Sequence, residues 1–174
     1  MAIVKANYVR RGRGEQARAK VTIRYIQHRP GKDGAKINRV LFGQDGAMGR
    51  WQAYRMIDEA EKGSLFFRFV ISPDARTEDT QRDLSLRDVT EKTMLSLEER
   101  LHQPVSWVAA IHAEHAPHRH IHIVAIVQGR LQAHDFHALR QTATQACLQE
   151  RRERDLAREQ QEQGKEEAAW EQTL

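Results

Sequence analysis

The chain has 174 residues, 40% of them hydrophobic and 30% charged, with one cysteine, Cys147. That supports one core of ordinary size, excludes an internal disulfide, and, with no run of about eighteen apolar residues, excludes a membrane-spanning helix. The net charge of +4 is unevenly placed: residues 1–55 hold thirteen Lys/Arg against three Asp/Glu, leaving fifteen against twenty-one for the rest, so the basic part fits a polyanion, nucleic acid first.

Ile3 to Val9 alternates and predicts a strand, followed by a basic, flexible break at Arg10-Arg11-Gly12-Arg13-Gly14. Glu15 to His28 lacks Pro and Gly, and Ala17, Val21, Tyr25 and His28 recur at three- and four-residue steps, predicting a helix ended by Pro30-Gly31. Ile37 to Phe42 reads as a short strand or hairpin arm, with turn signals at Gly43 and Asp45-Gly46. Trp51 to Lys62 is helical, and Leu65 to Ile71 is a buried strand closed by Ser72-Pro73. Asp74 to Asp83 is polar loop. Ser85 to Leu101 is helical, with Leu86, Val89, Met94 and Leu97 on one side. Val105 to His112 and Ile121 to Val127 are the clearest strands. His134 to about Gln163 is a long helix, with Asp135 as N-cap and a stripe of Phe136, Leu139, Ala143 and Cys147.

The order β-α-β-α-β-α-β-β-α, with two strong strands joined by a short link, predicts an α+β domain: a central antiparallel sheet with flanking helices. Residues 1–150 are expected to form that domain and 151–174 a charged helical extension or tail. The opening MAIVKANYVRRGRG lacks a signal peptide's apolar run, so a cytoplasmic protein without a membrane partner is expected.

Six of the nine histidines fall between 102 and 122: His102, His112, His115, His118, His120 and His122. His120 and His122 are two apart on a strand, so both point to one face, with Ile121 on the other. His112 ends the preceding strand. Antiparallel pairing would bring it opposite the pair, so that three imidazoles converge with coordination positions left over for substrate oxygens. A rival set of His112, His118 and His120 would put Arg119 where the strand core wants an apolar residue. His115 and His118 fall in the connecting loop, where Pro117 signals a turn.

The run His112…His120-Ile-His122-Ile-Val resembles the third motif of the P-type plasmid mobilisation relaxases, members of the His-hydrophobic-His (HUH) endonucleases. Glu15-Gln-Ala-Arg18-Ala-Lys20-Val-Thr-Ile-Arg24-Tyr25 is similar to that family's first motif, and FRFVISP from Phe67 to Pro73 to its second. The resemblance covers about residues 2–150 and implies the relaxase-like fold, with Tyr25 as nucleophile and His112, His120 and His122 holding a divalent ion, Mg²⁺ or Mn²⁺. It further implies a substrate of single-stranded or supercoiled origin-of-transfer DNA, a 5′-phosphotyrosine intermediate, and as partners relaxosome accessory proteins and a secretion coupling protein. Glu114 stands where the family carries an acidic residue, implying a bond to a histidine or help in accepting the tyrosine proton.

The residues agree with this chemistry. A DNA transesterase needs a nucleophile, its deprotonation, and a cation on the phosphate. Only Tyr8, Tyr25 and Tyr54 are available, and none follows the histidines, which argues against the replication-initiator branch of the superfamily. Arg18, Lys20, Arg24 and Arg29 surround Tyr25 in sequence; with Arg11, Arg13, Lys32 and Ser72 they form the expected DNA-contacting set. His28 is the one nearby histidine that could replace the tyrosine. Two other functions fit the same residues: a non-catalytic nucleic-acid-binding module with a structural ion, and a metal-dependent nuclease using water.

Overall fold

The computed structural model describes residues 1–9, 14–114 and 118–171, so Arg11, Arg13, His115 and Pro117 lie outside the described residues. It is an α+β protein with ten elements: β1 (Ile3–Tyr8), α1 (Glu15–His28), β2 (Leu41–Gly43), β3 (Gly46–Met48), α2 (Arg50–Asp58), β4 (Ser64–Ser72), α3 (Leu86–Leu101), β5 (Ser106–His112), β6 (His120–Gln128) and α4 (Ala133–Glu171). The strands form one six-stranded sheet in the order β1-β4-β6-β5-β2-β3, every neighbouring pair antiparallel.

Alternation along the central strand β6 sorts the two faces. Ile121, Ile123, Ala125 and Val127 point one way and pack with Leu86, Val89, Met94 and Leu97 of α3 and Leu139, Ala143 and Cys147 of α4. Val124 and Ile126 point the other way and pack with Ala19, Ile23 and Ile26 of α1 and Ala53 and Ile57 of α2. The histidines of β6 share this second face. Replacing Ile123, fully buried at the middle of the sheet, by Ala is expected to cost about 2–5 kcal/mol, read as a lower urea midpoint at unchanged m-value.

Several elements differ from the sequence expectation. The Ile37–Phe42 strand becomes a tight hairpin, Leu41–Gly43 with Gly46–Met48, so one more strand is present than expected. Gly46, at φ 113°, supplies the positive φ that its second arm needs. The second helix ends at Asp58, four residues short of Lys62. Asp135 is inside the first turn of α4 rather than before it, its carboxylate reaching back to the amide of Gln132 at 2.7 Å. That helix runs unbroken across residue 150, and Arg151 and Arg158 bind Asp83 beyond that point.

The stripe expected for α1 is also corrected. Ala19, Ile23 and Ile26 are its buried positions, whereas Val21 and Tyr25 are 67% and 43% exposed. The helix has apolar residues on more than one side, and the sheet selects the side whose branched side chains fill the groove beside β5 and β6. Tyr25 is consequently a surface tyrosine and not a core one.

On the histidine face the β1–β4 edge stays open. Ile3, Lys5 and Asn7 are exposed there, and Arg68, Val70 and Ser72 beside them are half-buried. No helix of the described residues is long and apolar enough to cross a membrane.

Candidate metal centre

The β5–β6 register places His112 directly opposite His120, and His122 opposite Ala110. Because His120 and His122 share a face and His112 sits across the ladder, the three rings meet at centroid distances of 4.5, 5.0 and 5.3 Å. One ring nitrogen from each lies within 4.8 Å of the others, so the cluster can hold a metal ion. The rival set is not assembled: His118 is exposed, and Arg119 turns to the opposite layer, forking onto Asp79 at 2.7 and 2.8 Å.

The donor chemistry fits a divalent cation. His112 Nε2 lies 2.7 Å from the Ile26 carbonyl, which can only accept, so that nitrogen carries the proton and Nδ1 keeps the lone pair. Both nitrogens of His122 are buried with no hydrogen-bond partner among the described residues. Leaving such groups empty-handed costs on the order of 1–3 kcal/mol each, which a metal bond would offset. Burial pushes the His112 ring down to about 4, helped by Arg39 and His120 and opposed by the Ile26 bond. Burial also pushes His122 down to about 3, with His112, His120, Arg68 and Arg29 adding to it. Both rings are therefore neutral at pH 7, the form that ligates a metal.

Helix α1 crosses above this cluster, joined to it by the Ile26–His112 bond. Its flanks differ. Gln16 and Lys20 face α2, where Lys20 pairs with Asp58 at 2.6 Å and lies over the Tyr54 ring, so Lys20 is not gathered with the other cations. The opposite flank carries Arg18, Thr22, Tyr25 and Arg29 at four-, three- and four-residue steps. Arg29 lies beside the tyrosine, its guanidinium 5.6 Å from the centre of the Tyr25 ring, and its charge is the smallest of the influences that lower the His122 ring. Arg24 and Lys32 are exposed on α1 and the following turn, and Ser72 ends β4 on the open strip.

His28 is held on both sides, Nδ1 at 3.2 Å from the Ile37 carbonyl and Nε2 at 2.9 Å from Arg50. Arginine only donates, so Nε2 is the acceptor and its lone pair is engaged. Glu114 accepts from Arg39 Nη2 at 2.8 Å and from the Ala113 amide at 3.2 Å. Burial works against its charge, but the Arg39 bond and the nearby amides outweigh it and hold the carboxyl below its ordinary range.

The sequence reading missed three cations. Arg39 is buried between α1 and Glu114, Arg68 lies on the histidine face of β4, and Lys5 projects from β1 on the same face. Arg68 left a trace in the sequence, a charge at the centre of LFFRFVI, where a strand buried on both faces would not carry one. Arg39 left none. Replacing His122 by Ala is expected to weaken Mn²⁺ binding at least about 100-fold by calorimetry, since one of three donors is lost. Affinity within threefold of the parent would show that the ion, if bound, sits elsewhere. No protein-family model, curated protein or solved structure matches this chain.

Proposed function

We propose that this chain is a DNA relaxase of the His-hydrophobic-His endonuclease kind, which nicks one strand of origin-of-transfer DNA and keeps it as a phosphotyrosine. The observation that carries the reading is the convergence of three imidazoles beside the helix that bears an exposed tyrosine, a helix joined to the cluster by the Ile26–His112 bond. The motif resemblance supports the same reading: His112, His120 and His122 with Tyr25 upstream. In it, residues 1–150 are the catalytic domain and the rest of α4 an extension.

A divalent ion, Mg²⁺ or Mn²⁺, held by His112, His120 and His122 would draw electron density from the scissile phosphate. The chain's own residues do the rest. Arg68 and Lys5, on a strip lacking carboxylates of its own, offer a path for the phosphate backbone, and Arg18, Arg24 and Lys32 add positive charge on α1 and the turn after it. Arg29 holds the Tyr25 ring, and the phenolic proton leaves to water as the oxygen attacks, because the ring is exposed. The Tyr25 oxygen bonds to phosphorus, the P–O3′ bond breaks, and the 3′ oxygen takes a proton as it leaves. One phosphodiester replaces another, so the exchange reverses without a nucleotide cofactor.

The test uses random-sequence single-stranded oligonucleotides labelled at the 3′ end, the portion that would stay on the protein. With Mn²⁺, a labelled band on a denaturing gel supports the reading, and sequencing its DNA gives the nick site. Cleavage without a protein-linked product would favour a water nucleophile, and metal and DNA binding without cleavage a binding module. Relaxosome accessory proteins and a secretion coupling protein are the partners this function calls for.

A further inference from the structure

We infer that Arg39 is a positioning residue that locks the end of the tyrosine-bearing helix onto the strand carrying His112; this rests on the function proposed above. Arg39 lies in the irregular stretch between α1 and β2, yet it is 7% exposed. Its amide donates to the Gln27 carbonyl at 3.0 Å, and its Nη1 donates to the Arg29 carbonyl at 2.9 Å. Its Nη2 donates to Glu114, two residues beyond His112, at 2.8 Å. One guanidinium therefore spans the last turn of α1 and the exit of β5, beside the direct His112–Ile26 bond. Tyr25 and Arg29 belong to the turn being held.

Stability gives only part of the reason for this arrangement. Arg39 Nε is buried with no hydrogen-bond partner among the described residues. An apolar residue would fill the space without that orphaned donor, at the loss of the two guanidinium bonds. What the fork supplies is geometry: a planar, two-armed donor fixes the separation of the groups it joins, which a single-point ammonium does not. Glu114 then acts through Arg39, as the anchor of the clasp.

The test compares Arg39→Met, Arg39→Lys and Glu114→Gln in the full chain. Adduct formation is measured at saturating Mn²⁺ with an oligonucleotide recovered from the wild-type adduct, and Mn²⁺ and DNA affinities are measured separately. Arg39→Met is expected to slow adduct formation about 100-fold while both affinities stay within about threefold, because a displacement near 1 Å at the nucleophile is felt in the rate. Arg39→Lys is expected to recover only part of the rate, and Glu114→Gln added to Arg39→Met to cost little more. Should Arg39→Met fail to fold, Arg39→Lys, which keeps charge and stem, carries the comparison. A rate within threefold of wild type, a loss of Mn²⁺ affinity parallel to the rate, or additive effects of the two positions would overturn the inference. Absence of adduct from the wild type would instead sink the nicking function.

Discussion

Tyr25→Phe is expected to lose the covalent DNA adduct by at least about a thousandfold while keeping its fold, its ion and its DNA affinity. The substitution removes one oxygen from a ring that is 43% exposed, so stability should change by less than about 0.5 kcal/mol. The ring itself stays in place for Arg29 to cover. Among the described residues, neither His28 nor the other tyrosines are placed to substitute. His28 has both ring nitrogens engaged, Tyr54 lies beneath Lys20 on the α2 side, and Tyr8 packs edge-on against Phe67 on the opposite face of the sheet. A denaturing gel with the 3′-labelled oligonucleotide reads the result. An undiminished adduct from Tyr25→Phe would assign the nucleophile elsewhere; cleavage at parental rate without adduct would assign it to water.

The metal-free protein is expected to lose stability steeply as pH falls from 6.5 to 5. His112 and His122 have folded-state values pushed down to about 4 and about 3, against 6.5 for an exposed ring. A lowered value means that the unfolded chain takes up a proton where the folded one does not. Stability is then fully present above 6.5 and falls until the folded values are reached. At pH 5 each ring contributes a loss of roughly 2 kcal/mol, the 1.36 kcal/mol per pH unit acting over about 1.5 units. The carboxylates held below their ordinary range, Asp74, Asp83 and Glu114, titrate beneath this window, so the rings dominate it. A saturating divalent ion, at about 100 times its dissociation constant, should add about 2.7 kcal/mol at pH 7.5 and lose that advantage on acidification, as protons compete for the same nitrogens. Urea denaturation at pH 7.5, 6.5 and 5, with and without a chelator, measures both effects. A flat profile in the chelated protein would mean that the rings are solvated. In His122→Phe the slope should be about half the parent's.

The far part of the long final helix is tied to the loop before α3. Arg151 and Arg158 converge on Asp83, and Glu150 accepts from the Ser85 amide at 3.1 Å, so the polar segment after residue 150 grips the domain through ion pairs and not through apolar burial. Arg119 does the same one layer in, bound to Asp79 and to the Leu84 carbonyl. Between them these bonds hold the mostly polar loop between β4 and α3.

What the amino-acid sequence determined by itself was the local and periodic part. A strand has a repeat of two, so His120-Ile-His122 could face only one way together, and a short link between two strongly apolar strands left antiparallel pairing to bring His112 opposite. Gly14 and Pro30 bracketed α1 because neither suits a helix interior. The tertiary structure decided what depended on partners distant in the chain. It chose the buried side of α1, because that choice turns on which residues fit the groove over β5 and β6, and so left Tyr25 exposed. It also brought Arg39 to Glu114 from 75 positions away and buried it together with His112 and His122. No spacing in the sequence encodes that meeting, because a bond between irregular segments has no period, and the desolvation that keeps the rings neutral exists only once both layers of helices have closed over the sheet.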